Sequence, residues 1–76
     1  MNDLREKLLA HKEHLELEHI SYRNKILKKV KSLASLEEVE RIDSRLIGSL
    51  IRDISLYNEH LRDIESELTV INTYVV

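Results

Sequence analysis

Residues 28–40 read KKVKSLASLEEVE, with neither glycine nor proline among them. Whether a helix entering at Lys28 stops here or runs on decides between a folded-back hairpin and one long rod. Extending the upstream apolar stripe in phase past Leu33 would recruit Glu37, Arg41, Ser44 and Gly48, none of which builds a seam. The downstream stripe starts instead at Leu36 and Val39, so the helical phase slips near residue 34. Ser35 followed by Glu38 fits a capping box, in which each side chain satisfies a backbone N–H at a helix start. Lys28, Lys29 and Lys31 would then lie in the last turns of one helix, and Glu37, Glu38 and Glu40 near the start of the next. Both placements complement helix dipoles. The expectation is a tight turn at about residues 33–35, with a single rod carrying a stammer as the alternative.

On either side of this point the periodicity is helical. Leu4, Leu8, His11, Leu15, His19, Tyr22, Ile26, Val30 and Leu33 recur at steps of three and four, one stripe at about 100° per residue. Leu9, Ile20, Leu27 and Ala34 form a second line beside it. Downstream the stripe is Leu36, Val39, Asp43, Leu46, Leu50, Ile54, Tyr57, Leu61, Ile64, Leu68, Ile71 and Val75, with Ile47 and Ile51 widening it. Arcs this wide imply more than one neighbouring helix. Gly48 costs about 1 kcal/mol relative to alanine inside a helix and either permits a close crossing or is a tolerated surface residue. The tail from Thr69 is rich in β-branched residues, so it would fray or serve as a docking segment.

The fold class expected is all-α: an antiparallel, coiled-coil-like two-helix hairpin that dimerises into a four-helix bundle. Helix one covers about 3–33, capped by Asn2 or Asp3; helix two covers about 36–72; residues 73–76 are a tail. A turn at 34–35 would bring together residues whose numbers sum to roughly 70 to 72. That sets His19 near Asp53, His11 near His60 and Leu61, and Asp43 near Lys29.

Composition bears on function mainly by exclusion. With 76 residues the chain is a single small domain, and small domains bury a limited share of their surface. It has no cysteine, no Phe or Trp and three tyrosines, so neither disulfides nor a large aromatic core can hold a lone copy together. A net charge of −2 argues against general polyanion binding. No apolar run approaches the roughly 18 residues of a membrane span. The N-terminal segment MNDLREKLLAHKEH lacks the apolar core of a secretory signal, and a cytoplasmic setting is the default expectation.

Footholds for chemistry are few. Glu16 and His19, as E-x-x-H, share a helix face; doubled in a dimer, with Asp53 or Glu59 as further carboxylates, they match the ligand count of a di-metal bundle. The plainer account of His19 is a seam histidine bonded to Asp53, and His11 and His14 as H-x-x-H carry less. Residues 4–15, LREKLLAHKEHL, resemble the opening helix of all-helical chorismate mutases, whose third helix and further charged groups this chain is too short to provide. Residues 65–74, ESELTVINTY, resemble the signature of the sporulation aspartyl-phosphatase hairpins, but the acidic residue following Glu-Leu there is Thr69 here, so that activity does not carry over. No glycine-rich phosphate loop or nucleophile elbow is present, and no enzymatic activity, metal or cofactor is expected.

Arg23, Lys25, Lys28, Lys29 and Lys31 form the one basic block. Doubled in a dimer it would be a nucleic-acid patch, although its charges spread around the helix and solvated lysines at a helix C-terminus are the plainer account. What remains is recognition: a regulator, inhibitor, adaptor or assembly factor acting through helix faces, on a second copy or on helices of another protein. Leu46, Leu50, Ile54 and Tyr57 are the expected packing centre. Leu9, Ile20, Leu27, Ile47 and Ile51 are the expected second surface, and Leu17 and Leu56 are isolated candidates for a binding spot.

Overall fold

Nothing in residues 3–35 opposes a helix, and in the computed structural model, which describes residues 3–75, they form one. Helix α1 runs Asp3–Ser35, with Asp3 and Glu6 in its first turn, where carboxylates complement the exposed N–H groups. It continues past the expected stop at residue 33. The Ser32 hydroxyl donates to the Lys28 carbonyl at 3.1 Å and the Ser35 hydroxyl donates to the Ser32 carbonyl at 2.7 Å. Ser35 therefore bonds back into α1, its backbone is still right-handed helical, and it makes no side-chain cap to the segment that follows. The expected capping box with Glu38 does not form.

The chain reverses through a longer connection. Leu36–Glu38 make a single 3₁₀ turn, closed by the Val39 N–H on the Leu36 carbonyl at 3.2 Å, and Val39 is extended. Helix α2 then runs Ser44–Val75. Its cap is Asp43, whose carboxylate accepts the Arg45 N–H at 2.9 Å. The Asp43 carbonyl accepts from Leu46 and Ile47 at 3.0 and 3.2 Å, so Asp43 stands at the head of α2. It is not a charge inside a helical stripe with Lys29 for a partner.

A connection from Leu36 to Asp43 moves the point of reversal about five residues along the chain, and each residue of that shift changes the sum of facing residue numbers by two. Facing pairs accordingly sum to about 79 to 84 rather than 70 to 72: Tyr22 with Tyr57, Lys29 with Asp53, His19 with Glu65. The antiparallel hairpin itself is as expected. Its Cα atoms span 63 × 15 × 14 Å, a rod two helices wide.

The new register relocates the core. Leu15, Ile64 and Ile71 are buried together, with Leu8, Tyr22, Leu68 and Val75 packed around them, in the half of the rod away from the connection. Of the expected centre only Leu50 is buried; Ile54 and Tyr57 are half-buried, and Leu46 is 45% exposed. Leu46 lies in the first turn of α2, level with residues where α1 has already ended, so it has no helix opposite it. The segment 69–75 does not fray: it is the last two turns of α2, and Ile71 within it is 5% exposed. Burial of Ile71 and Val75 outweighs the weak helix propensity of this segment. Thr69 and Thr73 also donate their hydroxyls to the carbonyls of Glu65 and Thr69, both at 2.9 Å. Asn2, one of the two expected caps of α1, and Val76 of the expected tail lie outside the described residues. A Cβ built on Gly48 meets nothing within 4 Å, so this glycine is a surface residue and no close crossing depends on it.

Candidate interaction surface

A hairpin two helices wide has two long faces, and the side chains divide unequally between them. On one face Tyr22 stacks against His60, ring centroids 5.0 Å apart, and touches Tyr57 at 5.8 Å. The Lys25 ammonium sits 4.9 Å from the Tyr22 centroid and 5.8 Å from that of Tyr57. One turn further on, Lys29 pairs with Asp53 at 3.2 Å. Cation–ring contacts at such exposed sites contribute about 0.5–1 kcal/mol each, and a half-exposed ion pair up to about 1 kcal/mol. They report the register that the connection sets. His60 thus meets Tyr22 rather than His11, and the His11 ring is 6.4 Å from that of His14.

The opposite face carries a line of apolar side chains set among polar ones. Glu16, His19 and Ile20 line a shallow groove with Leu68. Ile20, Arg23, Asn24 and Leu27 line the next along α1, and Arg23, Ile26 and Leu27 share a third with Asn58 and Leu61. Ile20 and Leu27 therefore open on the same side as Leu61 and Leu68. Ile47 and Ile54 precede Leu61 at steps of seven, which keeps them on that side of α2, and Ile51 adjoins them. Ile20, Leu27 and Ile51 are 54%, 55% and 52% exposed, and Val30 on the same flank of α1 is 45% exposed. Leu9 is 40% exposed and continues the line toward the N-terminal end, while Ile47 is half-buried. Of the residues expected to form a second surface, Leu9, Ile20, Leu27 and Ile51 are thus exposed and Ile47 is half-buried. Leu50, by contrast, is inside the seam. Leu17 and Leu56 are also exposed, away from this line.

Three residues of the basic block, Arg23, Lys25 and Lys29, have separate surroundings. Arg23 lines the apolar face, Lys25 covers the tyrosines of the other, and Lys29 is paired with Asp53. The E-x-x-H pair is likewise engaged locally. Glu16 approaches Lys12 at 4.0 Å, and the His19 Nε2 lies 3.1 Å from the Glu65 Oε1, not from Asp53. Among the described residues, no three His, Cys, Asp or Glu side chains are grouped to hold a metal ion. No described helix is long and apolar enough to cross a membrane.

Sequence reasoning missed Glu65 as a cross-helix partner and set His60 against His11 rather than Tyr22, because both pairings follow from the register alone. The signal that would have located them is Asp43, a favoured N-cap residue immediately before the periodic run Leu46, Ile47, Leu50, Ile51. No protein-family model, curated protein or solved structure matches this chain.

Proposed function

We propose that this hairpin is a non-enzymatic protein–protein interaction module, a small regulator, inhibitor, adaptor or assembly factor that works by laying its apolar face against other helices. The observation that carries this reading is the exposure of Ile20, Leu27, Val30 and Ile51 along one side of a rod whose buried hydrophobic residues, among those described, are Leu15, Leu50, Ile64 and Ile71. A lone hairpin leaves much of its apolar surface in water, and chains of this size without disulfides or metal commonly gain stability by association. The footprint supports the same view. A face of 63 × 15 Å between Cα limits is about 950 Å², of the same order as the roughly 800 Å² per partner of a specific interface. Covering each half-exposed Leu or Ile contributes about 1 kcal/mol, so the whole line can offset the cost of association. A second hairpin seated here would complete a four-helix bundle.

The test is Leu27→Arg, which puts a charge in the middle of the face and leaves the seam intact. The expected result is unchanged helical circular dichroism with loss of self-association and of any host protein retained by the wild type. Wild-type protein that stays monomeric and retains nothing that Leu27→Arg fails to retain would refute the reading. So would RNA affinity that falls steeply with salt and disappears on replacing Lys28, Lys29 and Lys31.

A further inference from the structure

We infer that Glu40 and Asp43 are what keeps this chain folded back on itself. With apolar side chains in their place, residues 36–43 become helical and α1 and α2 merge into one helix. Two such chains then pair antiparallel, α1 of each on α2 of the other. The inference concerns the seam inside the rod and is independent of what meets the exposed apolar side chains.

Counted in sevens, the seam is unbroken by the reversal. Leu15, Tyr22, Leu50, Tyr57, Ile64 and Ile71 are separated by whole multiples of seven residues, and so are Ile26, Leu33, Ile54, Leu61, Leu68 and Val75. Each is buried or half-buried. These are the two core positions of one heptad, and the same heptad continues through Leu36 and Ile47, both half-buried. From Leu8 to Val75 every position of the series is buried or half-buried except Glu40 and Asp43, which are exposed. Outside the series, among the described residues, only Glu18 and Asp53 are half-buried. The slip near residue 34 belongs to Leu4, His11 and Val30, stripe members that the structure leaves exposed.

A hairpin does not require this continuity, because connections of many lengths can reverse a chain. A continuous helix with one seam does require it. The backbone of the connection does not forbid a helix either. Residues 36–43 hold no glycine or proline, Leu36–Glu38 already form a 3₁₀ turn, and no described residue has a positive φ.

The layers of the seam show what opposes opening. His19 with Glu65 and Lys29 with Asp53 have numbers summing to 84 and 82. Facing core positions lie between, at about 83, which sets Leu15 against Leu68 and Leu8 against Val75, all four in one cluster. Two opened chains paired in this register keep every such layer, now between copies. The same rule sets Glu40 of each against Asp43 of the other. Four carboxylates would then share two adjacent layers at the centre, where the residues beside the core, Glu37, Val39, Ser44 and Leu46, bring no cation. Arg41 and Arg45 fall on the outer side of a continuous helix. Reversal leaves both carboxylates in water and uses Asp43 to cap α2. The segment is thus a two-state element that trades contacts within a chain for the same contacts between chains, biased by charge.

The chain has no cysteine, so Ser21→Cys with Glu59→Cys, both exposed and outside the seam, gives two spin-label sites on the full-length protein. Pulsed dipolar spectroscopy reads the distance within one chain after refolding with a large excess of the same protein unlabelled. A folded-back chain with helices 8–10 Å apart predicts about 20–30 Å. One continuous helix predicts about 57 Å, from 38 residues at 1.5 Å each. The unsubstituted connection should give the short distance, and Glu40→Leu with Asp43→Leu the long one. Undiluted, that double variant should regain the short distance, now between copies. Glu38→Leu with Arg41→Leu, an equal gain of apolar side chains outside the series, should stay short. A short diluted distance in Glu40→Leu/Asp43→Leu overturns the inference, as does a long one in the unsubstituted connection or in Glu38→Leu/Arg41→Leu. If circular dichroism shows that the Glu40/Asp43 leucine pair does not fold, Glu40→Gln with Asp43→Asn removes the charges alone and its diluted distance decides in the same way. None of these substitutions touches Ile20, Leu27 or Ile51, so the Leu27→Arg experiment is decided separately.

Discussion

Ile71→Ala separates a helix that packs to its end from one that frays after Leu68. Ile71 is 5% exposed and belongs to the cluster of Leu15 and Ile64, whereas its neighbour Val70 is 61% exposed. Truncating isoleucine to alanine removes three buried carbons, worth about 0.8 kcal/mol each, or about 2.4 kcal/mol of transfer free energy. The space left adds to this, but in a rod two helices wide the surroundings can partly collapse, which keeps the total near the low end of the 2–5 kcal/mol range for such changes. Alanine recovers a few tenths of a kcal/mol in helix propensity. The expected net loss is about 2–3 kcal/mol. Val70→Ala removes exposed carbons and gains the same propensity, so it should be neutral or stabilising by a few tenths of a kcal/mol. Urea unfolding followed by circular dichroism at one protein concentration measures both, since a self-associating chain must be compared at fixed concentration. Equal effects of the two substitutions, or amide protons at 69–73 that exchange as fast as those of an unfolded chain, would refute the claim that these residues close the core.

Three further substitutions probe the connection and the only glycine. Asp43→Ala should cost about 1 kcal/mol by removing the cap on the Arg45 N–H, while Ser35→Ala should be nearly neutral because Ser35 caps nothing; equal losses in urea unfolding would restore the capping box at Ser35. Gly48→Ala should stabilise by up to about 1 kcal/mol, since the added methyl meets open space in a helix interior. A lower unfolding midpoint for Gly48→Ala would mean that something packs on this position after all.

Sequence alone was enough for the hairpin. Steps of three and four on both sides of a phase slip, with no proline anywhere, leave two amphipathic helices facing each other as the economical solution, and the second line through Leu9, Ile20 and Leu27 already marked a surface wider than one seam. Helical periodicity reports which side of a helix is apolar. It does not report where along a neighbour that side will rest. That depends on how many residues the reversal consumes, and two local signals competed for it: serine and glutamate at 35 and 38, and aspartate at 43. Ser35 turned back onto α1 and Asp43 took the cap, which moved His19 to Glu65, His60 to Tyr22, and the core from Leu46–Tyr57 to Leu15, Ile64 and Ile71. The tertiary structure decided these pairings because one residue more in the connection slides α2 along α1 and changes every partner, while leaving the amphipathic pattern of each helix untouched.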